Sequence, residues 1–471
     1  MINASLVNSD IDAEHDAHRA GLVWLVACAA ALGGLLFGYD WVVIGGAKPF
    51  YELYFHLDSP SLAGWAMSCA LVGCLVGALS SGAMSKHLGR KRLLTLAAFA
   101  FAISSIGVGF ASSFTLFVLW RIVGGFAIGL ASGITPVYIA EIAPAALRGR
   151  LVSLNQLAIV FGILLAQVVN WLIARPVPLN ASAQDILMSW NGQLGWRWMF
   201  GVTAIPSALF LIGSVFVPES PRWLAKQGRV DAAAAVLKKI AGEQNVKAAL
   251  GEIVSTVTGA EQRIDWKILF ESKIRRVLGL GIILAVFQQW CGINVVFNYA
   301  EEIFSAAGYS VSDILFNIVI TGSVNLVFTL FAFAMVDRLG RRPMMLFGAG
   351  SLAIVYTALG GAFAFHSQGL HVLLLVLAAI GFYAMTLAPV TWVVISEIFP
   401  NRVRGLAMSV AVGMLWIACF ILTFTFPILN RKLGAAGTFW VYAAVCVIGF
   451  ILLFSRLKET KGRTLEEIER A

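Results

Sequence analysis

The block Glu141-Ile142-Ala143-Pro144, followed by Arg148-Gly149, returns as Glu397-Ile398-Phe399-Pro400 followed by Arg404-Gly405. Glu and Arg recur at one offset of 256 residues (141 to 397, 148 to 404). A second block, Leu88-Gly89-Arg90-Lys91-Arg92, returns 251 residues on as Leu339-Gly340-Arg341-Arg342-Pro343. Two independent blocks at nearly one spacing mark a doubled unit. In each copy the Glu ends a long apolar run and the Arg opens the next. Parallel membrane halves facing each other across a pseudo-twofold axis are a common architecture of secondary transporters.

Apolar runs long enough to cross roughly 30 Å of hydrocarbon recur along the whole chain. Twelve are recognisable, near 22–46, 62–85, 93–112, 114–139, 151–173, 197–217, 277–304, 314–336, 344–365, 370–399, 405–428 and 437–457. With 59% hydrophobic and 13% charged residues and a mean hydropathy of +0.84, an ordinary soluble enzyme is excluded. A membrane span must satisfy its backbone internally, and nothing here alternates like a barrel strand, so the spans are helices. The expected fold is an all-α membrane protein with two pseudo-symmetric six-helix parts. These are 20–217 and 276–457, joined by a helical linker at 218–275 and followed by a tail at 458–471.

The net charge of +9 is a topology signal rather than a nucleic-acid footprint. Of 34 Lys and Arg, 28 fall in the termini and the even-numbered connections. The other side receives only Lys48, Arg175, Arg197, Arg431 and Lys432, and Arg121 lies inside a span. The positive-inside rule then puts both termini and the linker in the cytoplasm of a cell inner or plasma membrane. Residues 1–20 are acidic, the wrong charge for a cleavable signal. All six cysteines lie in spans, leaving no disulfide framework or metal-ligand spacing. No Gly-x4-Gly-Lys-Ser/Thr loop offers a nucleotide site, and no His-Glu-x-x-His offers a zinc site. The clustered Gly124-Gly125-x3-Gly129 reads as close helix packing within one chain. In the linker, Ser220 before Pro221 reads as a helix start and Val230–Ile240 as an amphipathic helix. Thr464 with Glu467 reads as a capping box.

An ionisable side chain inside a span costs at least about 2.5–3.5 kcal/mol on insertion scales, so each is a functional candidate. Asp40, in Gly38-Tyr39-Asp40-Trp41, and Arg121, in Leu119-Trp120-Arg121-Ile122, have opposite signs and no other evident in-span partner among the first six spans. Pairing lowers the desolvation cost of both. The offset of 256 carries Arg121 onto Leu377, so the pair is not part of the doubled scaffold. One reading is a fixed salt bridge. The other is a proton site, in which withdrawal of the Arg lets desolvation favour the protonated acid. Glu141, Arg148, Glu397 and Arg404, duplicated at the cytoplasmic ends, suit inter-helix salt bridges that gate the path. Snorkelling anchors are the plainer alternative, and the same holds for Arg90, Arg92, Asp337 and Arg341.

Amides gather where apolar helices do not need them: Asn155 and Gln156, Gln288, Gln289, Asn294 and Asn298, and Asn325. An amide donates and accepts, as a sugar hydroxyl does. Trp392 and Trp416 add plates for an apolar ring face. Without a basic cluster, this set suits a neutral polyol.

Several motifs together carry a resemblance. They are Gly38-Tyr39-Asp40, Arg121-x2-Gly-Gly, Tyr138-Ile-Ala-Glu141, Pro218-Glu-Ser-Pro-Arg-Trp-Leu, Gln288-Gln289-x2-Gly-Ile-Asn294 and Glu397-Ile-Phe-Pro-Asn. Over roughly residues 20–468 the chain resembles the sugar porters of the major facilitator superfamily. Within these it is similar to bacterial proton-linked xylose, arabinose and galactose permeases and to animal glucose facilitators. The resemblance implies alternating access to a central sugar held at Gln156, Gln288, Gln289, Asn294, Asn325, Trp392 and Trp416. Family symporters carry Asp where facilitators carry Asn, and this chain has Asp40. Ile163 stands where the xylose permease has Gln, which tilts the choice toward a hexose, and Asn298 replaces a Tyr common in the family. The expectation is a monomeric importer of a neutral monosaccharide such as glucose, xylose or galactose, with a proton as coupling ion and no cofactor. Its rivals are a sugar uniporter and a non-transporting sugar receptor.

Overall fold

The computed structural model describes residues 4–144, 147–178, 181–258, 266–400, 403–459 and 461. The first six spans lie in the helices Ala4–Tyr54, Pro60–Leu88, Arg90–Gly109, Phe114–Ile142, Arg148–Ile173 and the segment Asn191–Phe216. The last six begin with Ser272–Trp290 and Ile293–Asn298, followed by Val311–Leu339 and Arg341–Ala364. Leu370–Met385 with Leu387–Ile398 form the tenth. The eleventh and twelfth run together as Arg404–Arg456, through Gly434 at φ 68° and ψ 174°, which breaks the helical path. Serine hydroxyls mark several starts: Ser59, Ser113 and Ser310 each accept the backbone N–H three residues on.

Glycines set how closely the second and fourth helices approach. A Cβ on Gly125 would lie 1.8 Å from the carbonyl oxygen of Ala70, and one on Gly129 2.3 Å from that of Cys74. Gly73 and Gly77 face the carbonyls of Ile122 and Phe126 in the same way. The glycine cluster therefore packs helices within one chain, as the sequence suggests.

The seventh and tenth spans are broken at mid-depth. Gly292 turns the seventh with φ 89°, a left-handed conformation in which a side chain is strained; its missing Cβ would also meet the Tyr442 ring at 2.9 Å. In the tenth, Pro389 lacks the N–H and crowds the carbonyl four residues back, and the helix restarts after Thr386. The break in the seventh lies among the amides singled out by sequence, and that in the tenth lies shortly before Trp392.

Between the sixth and seventh spans, Pro221–Lys226, Val230–Ala241 and Val246–Thr258 pack as short helices around Trp223, Leu224 and Ala233. Ser220 accepts from the Trp223 N–H at 3.2 Å, the expected helix start. Thr464 and Glu467 lie outside the described residues.

Candidate functional site

Phe37, Asp40 and Trp41 share one stripe of the first helix, three and four residues apart. Asp40 meets Arg121 of the fourth helix: Arg121 Nη1 donates to Asp40 Oδ1 at 2.8 Å, and Nη2 donates to the Asp40 carbonyl at 3.4 Å. Their side chains are 7% and 3% exposed, so the pair is almost fully desolvated. The Phe200 ring lies 5.3 Å from the guanidinium carbon. Asp40 Oδ2 and Arg121 Nε are buried without a partner. The second carboxylate oxygen thus remains able to accept a proton or a hydrogen bond.

Gln288, Gln289, Asn294, Asn298 and Asn325 are all buried. Gln289 donates to Gln288 Oε1 at 2.9 Å, and Asn294 donates to Gln289 Oε1. The seventh span thus presents a chain of linked amides across its break. Gln156 is half-buried on the fifth helix beside buried Asn155, whose Oδ1 has no partner. Trp416 is buried with its indole Nε1 unpartnered, whereas Trp392 is 38% exposed. Unpartnered polar atoms in a desolvated centre are capacity for a hydroxylated ligand.

The Trp416 ring reaches across to the first helix. Its centroid is 5.9 Å from that of Trp41 and 6.1 Å from that of Phe37. Neither of those rings is among the candidate site residues of the sequence. Gln167 and Asn317 were also passed over. Each is buried with an orphaned amide atom, and a Cβ on Gly322 would press against Gln167 Oε1. Both are amides of the fifth and eighth apolar runs, which already carry Asn155, Gln156 and Asn325, so the same signal marks them.

The charges at the linker end of the spans pair differently from the expectation. Arg90 grips Glu141 through two bonds of 2.9 Å, and Arg341 reaches Glu397 at 3.3 Å. Among the described residues, neither Glu141 with Arg148 nor Glu397 with Arg404 forms an ion pair; Arg148 is exposed, and Arg404 donates to the Phe399 carbonyl at 3.2 Å. The pairs therefore form within each six-span part, because Arg90 and Arg341 open helices that pack beside the ends carrying the glutamates. Arg92 is exposed, and the side chain of Asp337 lies outside the described residues.

Two further carboxylates complete this layer. Glu219 accepts from the backbone N–H groups of Arg90 and Lys91 at 2.9 and 3.2 Å. Glu459 accepts those of Arg341 and Arg342, both at 3.0 Å. Each carboxylate caps the positive end of a helix that follows a glycine of positive φ, Gly89 or Gly340. The doubling read from sequence is thus repeated in three dimensions.

At the opposite end the two parts are held together. Lys48 of the first helix is 5% exposed and pairs with Glu52 at 2.9 Å, Glu302 at 2.8 Å and Glu301 at 3.5 Å. The last two follow the broken seventh span. Trp65 packs edge-on to Phe420, and the Val177 N–H donates to Ser312 Oγ at 3.1 Å. These contacts join the two parts on the side away from the linker.

Residues 26–471 match the family described as "Sugar (and other) transporter". The D-xylose-proton symporter of Escherichia coli (strain K12) is 37% identical, with 96% of each chain covered. The arabinose-proton symporter of Bacillus subtilis (strain 168) is 36% identical, again over 96% of each. A glucose transport protein of Synechocystis sp. is 38% identical over 95% of this chain and 97% of its own. The inward-open E. coli xylose transporter superimposes with a TM-score of 0.83 at 36% identity, covering 95% of this chain and 99% of that one. The same transporter bound to 6-bromo-6-deoxy-D-glucose gives 0.79, covering 96% and 99%. By profile, by sequence and by its twelve-helix major facilitator fold, the chain belongs to the sugar (and other) transporter family, whose members here are carriers and not enzymes.

Proposed function

We propose that this chain is a secondary transporter that imports a neutral monosaccharide together with a proton, working as a monomer by alternating access. Residues 20–217 and 276–457 are its two moving halves, 218–275 a cytoplasmic linker and 458–471 a cytoplasmic tail, in a cell inner or plasma membrane. Relatives named for xylose, arabinose and glucose support a monosaccharide as cargo. The linked amides of the seventh span, with Gln156, Asn325, Trp392 and Trp416, would hold its hydroxyls and ring face.

The observation that carries proton coupling is the buried Asp40–Arg121 pair with Asp40 Oδ2 left free. A carboxylate beside a guanidinium stays ionised. When rocking of the halves separates the two, the desolvated acid takes up a proton, and re-forming the pair expels it on the other side. Glu141, Arg148, Glu397 and Arg404, with Arg90, Arg92, Asp337 and Arg341, form the cytoplasmic gate in this reading. Contacts seen inside each half are exchanged for contacts between halves when that side closes.

Asp40→Asn in proteoliposomes tests the reading. The amide is nearly isosteric but releases no proton. The Asn Oδ1 can still accept from Arg121 Nη1, but the neutralising charge is gone, and breaking a buried ion pair costs about 3–5 kcal/mol, so the yield of folded carrier falls. The folded fraction is expected to exchange sugar by counterflow and to ignore an imposed pH gradient. A variant that still concentrates sugar with the gradient removes Asp40 from coupling. Loss of every activity together with the protein would indicate a fixed structural bridge.

A further inference from the structure

Trp41 touches two sites at once. Its indole leans on Trp416 at 5.9 Å with the ring planes 57° apart, and on Phe37 at 6.1 Å. The same side chain walls a small chamber with Asp40, Arg121, Met67, Cys74 and Asn298. Three buried polar atoms of that chamber have no partner: Asp40 Oδ2, Arg121 Nε and Asn298 Oδ1. Much of the remaining lining is apolar, including Met67, Ala70, Leu71 and Ile128. Trp41 is also the next residue after Asp40 on an uninterrupted stretch of helix, so a backbone shift at one carries the other.

We propose that Trp41 is a positioning residue that relays sugar occupancy at Trp416 to the Asp40–Arg121 pair, resting on the proton-coupled reading. A sugar stacked on Trp416 needs the space the Trp41 indole now fills. Moving the indole shifts the helix turn that bears Asp40 and opens the chamber wall, so that the acid and its guanidinium part only when sugar is present. Empty carrier keeps the wall shut and leaks no protons. The ionisable groups within electrostatic reach of Asp40 are Arg121 from the fourth helix, Cys69 and Cys74 from the second and Tyr39 from its own. The seventh span contributes the neutral amide of Asn298.

The experiment compares Trp41→Ala, Trp41→Phe and Asp40→Asn in proteoliposomes, with glucose and xylose as probes. It reads sugar Kd between pH 5.5 and 8, counterflow, and accumulation under a pH gradient. Trp41→Ala is expected to lower the ratio of accumulation to counterflow by about tenfold or more, to flatten the pH dependence of Kd and to admit a sugar-independent proton leak. Trp41→Phe restores a ring and with it most of the coupling. Unchanged coupling and pH dependence in Trp41→Ala would overturn the relay. So would a parallel loss of counterflow and accumulation that Trp41→Phe does not rescue, since that marks a packing role. If Asp40→Asn itself still concentrates sugar, the proton reading fails, whatever Trp41 does.

Discussion

Replacing Glu302 by Gln should bias the carrier toward opening on the side away from the linker. Lys48 holds Glu302 at 2.8 Å and Glu301 at 3.5 Å, and both bonds join the first helix to the chain beyond the seventh. They can exist only while that side is closed. A hydrogen bond between charged groups contributes about 1.5–3 kcal/mol when well made. The Glu302 side chain is 24% exposed, so the lower end applies, and Lys48 keeps Glu52 and Glu301, so no buried charge is stranded. About 1.5 kcal/mol corresponds to a roughly tenfold shift in the equilibrium between closed and open states. The readout is labelling of Ser312→Cys by an impermeant maleimide added from outside, in a background where exposed Cys28 is replaced by Ala. Ser312 sits at the cross-contact with Val177 and gains exposure when the parts separate. Labelling should quicken several-fold to tenfold in Glu302→Gln. A double-mutant cycle with Lys48→Met should return a coupling energy near the same size. An unchanged labelling rate with normal folding would refute the latch.

Gln289→Ala should weaken sugar binding by about tenfold or more, since an unpaired hydroxyl costs on the order of 1–3 kcal/mol, and Trp392→Ala should weaken it by removing a plate for the ring face; equilibrium binding on purified, folded protein checks both. Gly125→Val should fail to yield a monodisperse carrier in detergent, because its side chain would start 1.8 Å from the Ala70 carbonyl, an overpacking that costs about 1–3 kcal/mol or more. A cysteine placed at Gln244 should be labelled by an impermeant reagent only after the membrane is breached, and labelling in intact cells would invert the proposed topology.

Much of the architecture was legible in one dimension. Membrane insertion is decided segment by segment, so length and hydropathy identified the spans, and only the join at Gly434 blurs the last two. Asp40 and Arg121 could be paired from sequence because two opposite charges in hydrocarbon have few alternatives, and the 2.8 Å bond confirms the partners. The glycine cluster was legible for a similar reason: small residues one turn apart have little use except close approach. The partners of Glu141 and Glu397 were not. Surface-end charges have several neighbours within reach, and helix packing chose Arg90 and Arg341 over the nearer residues in the chain. Lys48 among three carboxylates and Trp41 against Trp416 were also invisible, because each joins segments from different halves. The sequence determines each half through local insertion energies and its own repeat. What lies between the halves depends on how they are set against each other, a relation that alternating access must change in every cycle and that only the folded arrangement records.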